Sequence, residues 1–282
     1  MLAPVLFFSL GKTGFELKRI VLGVQYDGAS WHGWQTQLTG NTVQDRLEQA
    51  LKKFTQADVA TVCAGRTDAG VHAIEQVVHV DTEVDRETFS WVRGVNASLP
   101  SSIAVRWACE VKPDPLADFH ARFSATARTY QYVLYNHPVR SPLLKGKAGW
   151  AFRPLAIEPM RSAARHLVGT HDFSAFRSSE CQAKSPVRTM HDIGIERRGN
   201  IIIFTLHANA FLHHMVRNIV GSLIVAGSGA QPPDWLSEVL HGKDRNHAAP
   251  TFMPDGLYLA KIDYDSKWKL PQEVTSTLPW IV

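Results

Sequence analysis

Ala64-Gly65-Arg66-Thr67-Asp68-Ala69-Gly70-Val71-His72-Ala73 sets one carboxylate, Asp68, between two glycines and two residues after an arginine. Gly65 and Gly70 tolerate backbone angles that side chains resist, which suits a tight loop presenting Asp68 at a fixed angle. Upstream, Val59-Ala60-Thr61-Val62-Cys63 has the composition of a strand; downstream, Gln76-Val77-Val78-His79-Val80 has it again. One strand delivers the acid and the next leaves it. Loops held in this way by rigid elements are where chemistry is usually placed. On these ten residues alone, a surface turn with Asp68 bonding its own backbone is the better reading. The rest of the chain shifts that balance.

Lys18 to Tyr26 alternates Ile20, Leu22, Val24 and Tyr26 on one face, the period of a strand. Asp27-Gly28-Ala29-Ser30 reads as a turn. Asn41 or Thr42 caps a helix whose apolar positions, Val43, Leu47, Ala50, Leu51 and Phe54, share one face. A second helix is predicted over 86–98 and a strand over 103–111. Residues 18–113 therefore read as βαββαβ, a ferredoxin-like order. Lys112-Pro113-Asp114-Pro115 marks a boundary. In 114–265, strands over 129–135, 187–196, 200–207 and 257–264, with helices over 159–168, 211–226 and 234–240, repeat the outline. Residues 138–152 are left as a long connection. The expected fold is α+β. Two ferredoxin-like halves share a mixed, largely antiparallel sheet, with a cleft into which the Asp68 loop opens. Residues 1–17 form a loosely ordered leader and 266–282 a tail.

The chain has 282 residues, 45% hydrophobic and 20% charged, an ordinary globular balance. No apolar run is long enough to span a bilayer. Cys63, Cys109 and Cys181 form no C-x-x-C pair, which fits a reducing cytoplasm. The net charge of +4 is unevenly spread. Between Glu75 and Asp118 there are eight acids and four Lys or Arg; between Phe119 and Ile157 there is no acid. That second segment carries Arg122, Arg128, Arg140, Lys145, Lys147 and Arg153 among Phe123, Tyr130, Tyr132, Tyr135, Trp150 and Phe152. Arg197 to Pro233 also lacks acids. Basic stretches with interleaved aromatics are the footprint of a nucleic-acid surface, and equally the outcome of chance clustering on a solvated face with the aromatics in the core. Neither H-E-x-x-H, a Walker motif nor a complete G-x-G-x-x-G is present. His213 and His214, placed inside the 211–226 helix, would point a quarter-turn apart and make poor joint ligands. No metal and no organic cofactor are expected.

These motifs together resemble the TruA family of tRNA pseudouridine synthases. Gly65 to Ala73 is similar to the family signature. Tyr26-Asp27-Gly28 with Gly33-Trp34-Gln35 resembles its first strand and turn, and Thr42-Val43-Gln44 its helix start. Phe119-His120-Ala121-Arg122-Phe123 through Arg128-Thr129-Tyr130-Gln131-Tyr132 resembles its central block. Phe211 to Gly221 is similar to its helix, and Gly256-Leu257-Tyr258-Leu259 to its last strand. The matches run in order from about residue 18 to 264. Thr251-Phe252-Met253-Pro254 departs from the smaller residues of many members, which bears on the lining of the pocket.

The resemblance implies the pseudouridine synthase fold and a cofactor-free isomerisation of uridine to pseudouridine in the anticodon stem-loop of tRNA, at positions 38, 39 and 40. The enzyme is expected in the cytoplasm as a homodimer. The target base must be flipped out to be reached. Asp68 would be the catalytic nucleophile, attacking the uracil ring or the sugar carbon, or assisting elimination. Arg217 would pair with Asp68 and hold it ionised. Tyr130 would stack on the flipped base, Leu257 would pack against it, and Arg66 would fill the space left in the stem. Two other classes compete. A non-catalytic RNA-recognition protein would carry a run of exposed sheet aromatics, which is missing. A glycosidic-bond hydrolase would need a second carboxylate close by, and the 64–73 loop offers one.

Overall fold

The computed structural model describes residues 17–112 and 118–271. Most of the expected leader, the tail from 272 onward and the 113–117 part of the boundary lie outside the described residues. In chain order the elements are β1 (Lys18–Tyr26), α1 (Val43–Thr55), β2 (Val62–Cys63), β3 (His72–Thr82), α2 (Thr88–Asn96), β4 (Ile103–Val111), β5 (Ala125–Asn136), β6 (Gly149–Ala151), α3 (Ile157–Arg165), β7 (Gly169–Asp172), β8 (Val187–Arg198), β9 (Ile201–Ala208), α4 (Met215–Gly227), α5 (Trp235–Gly242) and β10 (Leu257–Tyr264).

The strands form one sheet in the order β4-β1-β3-β10-β5-β9-β8-β7, with β2 on β3 and β6 on β5. Pairing is antiparallel except for β10 with β3 and β6 with β5. Within each half the first strand is central. The first half runs β4-β1-β3-β2 and the second β10-β5-β9-β8, the same ferredoxin-like arrangement. The halves join because β2 is short. Since β1 occupies one edge of β3 from Ala73 to Thr82, β2 and β10 share the other edge. β2 takes Val78 and His79, whereas β10 takes His72 and Ala73. The Asp68 loop emerges between these two pairings, at the seam.

Local chemistry accounts for the elements. Thr42 caps α1, its hydroxyl accepting the Asp45 N–H at 3.2 Å. Val43, Leu47, Ala50 and Leu51 form the buried face of that helix, and each buried Leu or Val contributes about 1.5–3 kcal/mol. Phe54 packs edge-on against Trp91 of α2. One core cluster lies under α1 and α2; a second lies around α3, α4 and α5. Tyr130 packs against both.

Several expectations change. The strand before the loop is Val62–Cys63, not 59–63, because the Glu48 carboxylate accepts both the backbone N–H (2.9 Å) and the hydroxyl (2.8 Å) of Thr61. β3 starts at His72 rather than Gln76. The 138–152 connection contains β6, and β7 was not expected; both are too short for a period to show. The helix expected over 211–226 begins only at Met215, because His214 takes a left-handed backbone with φ 63°.

Candidate active site

The Asp68 loop is held by its backbone on every side. The Ala64 N–H donates to the Val77 carbonyl at 2.8 Å. The buried Gln76 side chain donates to the Gly65 carbonyl at 2.5 Å. Trp34 N–H donates to the Thr67 carbonyl at 3.0 Å, and Gly70 N–H to the Trp31 carbonyl at 3.3 Å. The Thr67 hydroxyl lies 2.7 Å from that of buried Tyr26. Gly70 adopts φ +80°, the left-handed region that favours glycine. Gly65, expected to do likewise, is not among the positive-φ residues. A β-carbon at Gly33 would stand 2.7 Å from the Thr67 carbonyl, so only glycine lets the 31–34 turn brace the loop.

Arg66, Asp68, Tyr130, Arg217 and Leu257 line one cleft at the seam, with Thr67, Val71, Phe211, Leu212, His214, Met215 and Val216. Arg66 and Asp68 share the loop between β2 and β3, whereas Tyr130, Arg217 and Leu257 come from three further elements. Tyr130 lies on β5 and pairs in register with Leu259 of β10 and Leu206 of β9. Its ring meets Phe211 edge-on at 5.0 Å. Burial first, and then the nearby Asp68 charge, push its phenol well above the ordinary range, so it is neutral at physiological pH. Leu257 is buried at the start of β10. Arg66 is exposed at the mouth.

Arg217, on the first turn of α4, places Nη1 3.3 Å from Asp68 Oδ2. Its Nε donates to the Phe252 carbonyl at 2.7 Å. The pair is half-buried rather than fully so, with side-chain exposures of 14% for Arg217 and 26% for Asp68.

Two further contacts were not expected. His213 Nε2 lies 3.3 Å from Asp68 Oδ1, and His214 Nε2 lies 3.3 Å from Asp68 Oδ2. Their rings are 3.9 Å apart. The quarter-turn argument fails because both histidines precede the helix and His214 has left-handed angles. Asp68, His213 and His214 offer ligand atoms within 4.8 Å of one another, a spacing compatible with a metal ion. The Arg217 guanidinium beside Asp68 Oδ2 opposes a cation there. The doubled histidine was the only available signal, and it could be read only with the helix start in hand.

The acid-free segments also change meaning. Arg128 donates to the carbonyls of Ala64 (3.2 Å), Arg122 (2.7 Å), Asn209 (2.9 Å) and Ala125 (3.3 Å), tying three loops around the cleft. Arg197 holds Asn136 and the Leu155 carbonyl. Lys147 is paired with Asp27. These cations brace the protein's own fold. Arg66, Arg122 and Lys145 are exposed.

The profile of the tRNA pseudouridine synthase family matches residues 23–124 and 163–265. The chain is 72% identical over 263 residues to tRNA pseudouridine synthase A of Herminiimonas arsenicoxydans, covering 93% of this chain and 96% of that one. It is 71% identical to the protein of that name from Janthinobacterium sp. (strain Marseille), covering 94% and 98%. With the protein of that name from Burkholderia lata the identity is 58%, over 93% and 96%. The chain belongs to the tRNA pseudouridine synthase family.

Proposed function

We propose that this isomerase, which converts uridine to pseudouridine in tRNA, acts on positions 38, 39 and 40 of the anticodon stem-loop with Asp68 as its nucleophile. The observation that carries the assignment is the convergence of Asp68, Arg217, Tyr130 and Leu257 on one cleft from four separate elements. The reaction breaks the N1 glycosidic bond, turns the uracil and joins C5 to the sugar. A proton leaves C5 and one arrives on N1, so nothing is gained or lost overall. In this reading the flipped base enters between Tyr130 and Leu257, beside Asp68. Arg217 fixes the carboxylate, and Arg66 at the mouth faces the opened stem. The enzyme works in the cytoplasm as a homodimer, a reading that rests on family membership. Among the described residues no helix is long and apolar enough to cross a membrane.

Incubation with uridine-labelled tRNA, followed by digestion to nucleosides and mapping, tests this. Pseudouridine at 38, 39 or 40 is expected. Free uracil, unchanged uridine or pseudouridine confined to another arm would overturn it.

A further inference from the structure

We propose that His213 and His214 are positioning residues that share the Asp68 carboxylate with Arg217 and set how freely it can turn to the substrate. This rests on Asp68 being the nucleophile.

The geometry is specific. Each imidazole reaches a different oxygen of the same carboxylate at 3.3 Å, and Arg217 reaches one of them at 3.3 Å. The backbone is built to put them there. His213 donates its N–H to Cys181 Sγ at 3.5 Å and accepts the Ser178 N–H at 3.0 Å, so the 178–181 segment pins it. His214 takes φ 63° and still accepts the Asn218 N–H at 3.0 Å as the first bond of α4. Left-handed angles at a residue with a side chain are uncommon and gather at sites that use them. A glycine would meet the same turn without strain but would leave Asp68 Oδ2 without its imidazole.

The reaction requires Asp68 to exchange these contacts for a bond or a proton from substrate. While neutral, the two imidazoles flank the carboxylate at 3.3 Å without the alignment of a hydrogen bond, a contact that orients it yet releases it. A protonated His214 would instead hold it by a charge-assisted contact. Asp68, His213, Arg217 and Glu180 are the charged or titratable groups that act on His214. Burial is the largest influence and keeps this imidazole below its ordinary value; His213 and Arg217 reinforce it and Asp68 opposes. His214 is therefore neutral at neutral pH and gains its proton only on acidification. The rate of the chemical step should fall on the acid side, as the clamp tightens.

The test is the single-turnover release of tritium from C5-labelled tRNA between pH 5 and 9, with tRNA affinity and thermal melting measured alongside. Glutamine offers an N–H near the place of Nε2 but cannot become charged. The double variant H213Q/H214Q should be slower than wild type at pH 8, with an acid limb displaced downward by at least about one pH unit. H213A/H214A should lose about 10²-fold in rate, because the carboxylate is no longer oriented, while binding tRNA as before. H214G keeps the turn without its imidazole and should also be slow. An unchanged acid limb in the glutamine variant, or wild-type rates in either the alanine or the glycine variant, would overturn the proposal. Absence of tritium release from wild type would instead sink the assignment of function on which it rests.

Discussion

Arg217 divides its guanidinium between the Asp68 carboxylate and the Phe252 carbonyl. Hydrogen bonds to charged groups contribute about 1.5–3 kcal/mol each when partly buried. Arg217→Met should therefore lose turnover and about 1–3 kcal/mol of stability, less than removal from a fully buried pair would cost. Equal melting midpoints in urea together with normal turnover would show that the pair is incidental. Tyr130 makes a separate prediction. Base–aromatic stacking is worth about 1–3 kcal/mol, so Tyr130→Leu should slow single turnover by roughly 5- to 150-fold. A Tyr130→Phe variant as slow as Tyr130→Leu would shift the role from ring to hydroxyl.

At the scale of elements, β3 carries a pH-sensitive contact remote from the reaction. His79 Nδ1 accepts the Ala121 N–H at 3.1 Å, a bond that a protonated Nδ1 cannot make. Burial, aided by Arg19, holds its imidazole down to about 4. The unfolded chain binds this proton near pH 6.5 and the native chain does not, so stability should fall as pH drops from about 6.5 toward 4. His79→Gln should flatten that part of the pH–melting curve; an identical slope in both proteins would contradict it. Legibility also divides at this scale. The bounds of β1 follow from its alternation, and those expected for β4 and β10 also match; of the two cap candidates, Asn41 and Thr42, the structure uses Thr42, and such signals are local. The length of β2 was not legible, since it depends on Glu48 reaching Thr61 from another element. Nor was the start of α4, because a left-handed histidine leaves no composition signal. Arg66, Asp68, Tyr130, Arg217 and Leu257 were named through the family resemblance, and the fold brings them to one cleft. The histidine pair was missed because its meaning hangs on that helix boundary.

At the scale of the whole molecule, β4 and α2 lie at the far end of the sheet from the second half, and they belong to the acid-richer 75–118 stretch. The seam and the exposed cations Arg66 and Arg122 belong to the proposed tRNA face. Because Arg128, Arg197 and Lys147 brace the protein itself, the salt dependence of binding should rest on the exposed cations. Replacing Arg66 and Arg122 with glutamine should weaken tRNA binding and reduce the log–log salt slope by roughly one to two units. An unchanged slope would place both away from phosphate. In the proposed mechanism one carboxylate at the seam of two half-sheets performs the isomerisation. Its most direct test compares wild type with Asp68→Asn in single turnover on tRNA tritiated at uridine C5. Wild type should release the label as C5 joins the sugar; the near-isosteric variant should bind the tRNA with similar affinity and release none. Substantial tritium release by Asp68→Asn would contradict the account.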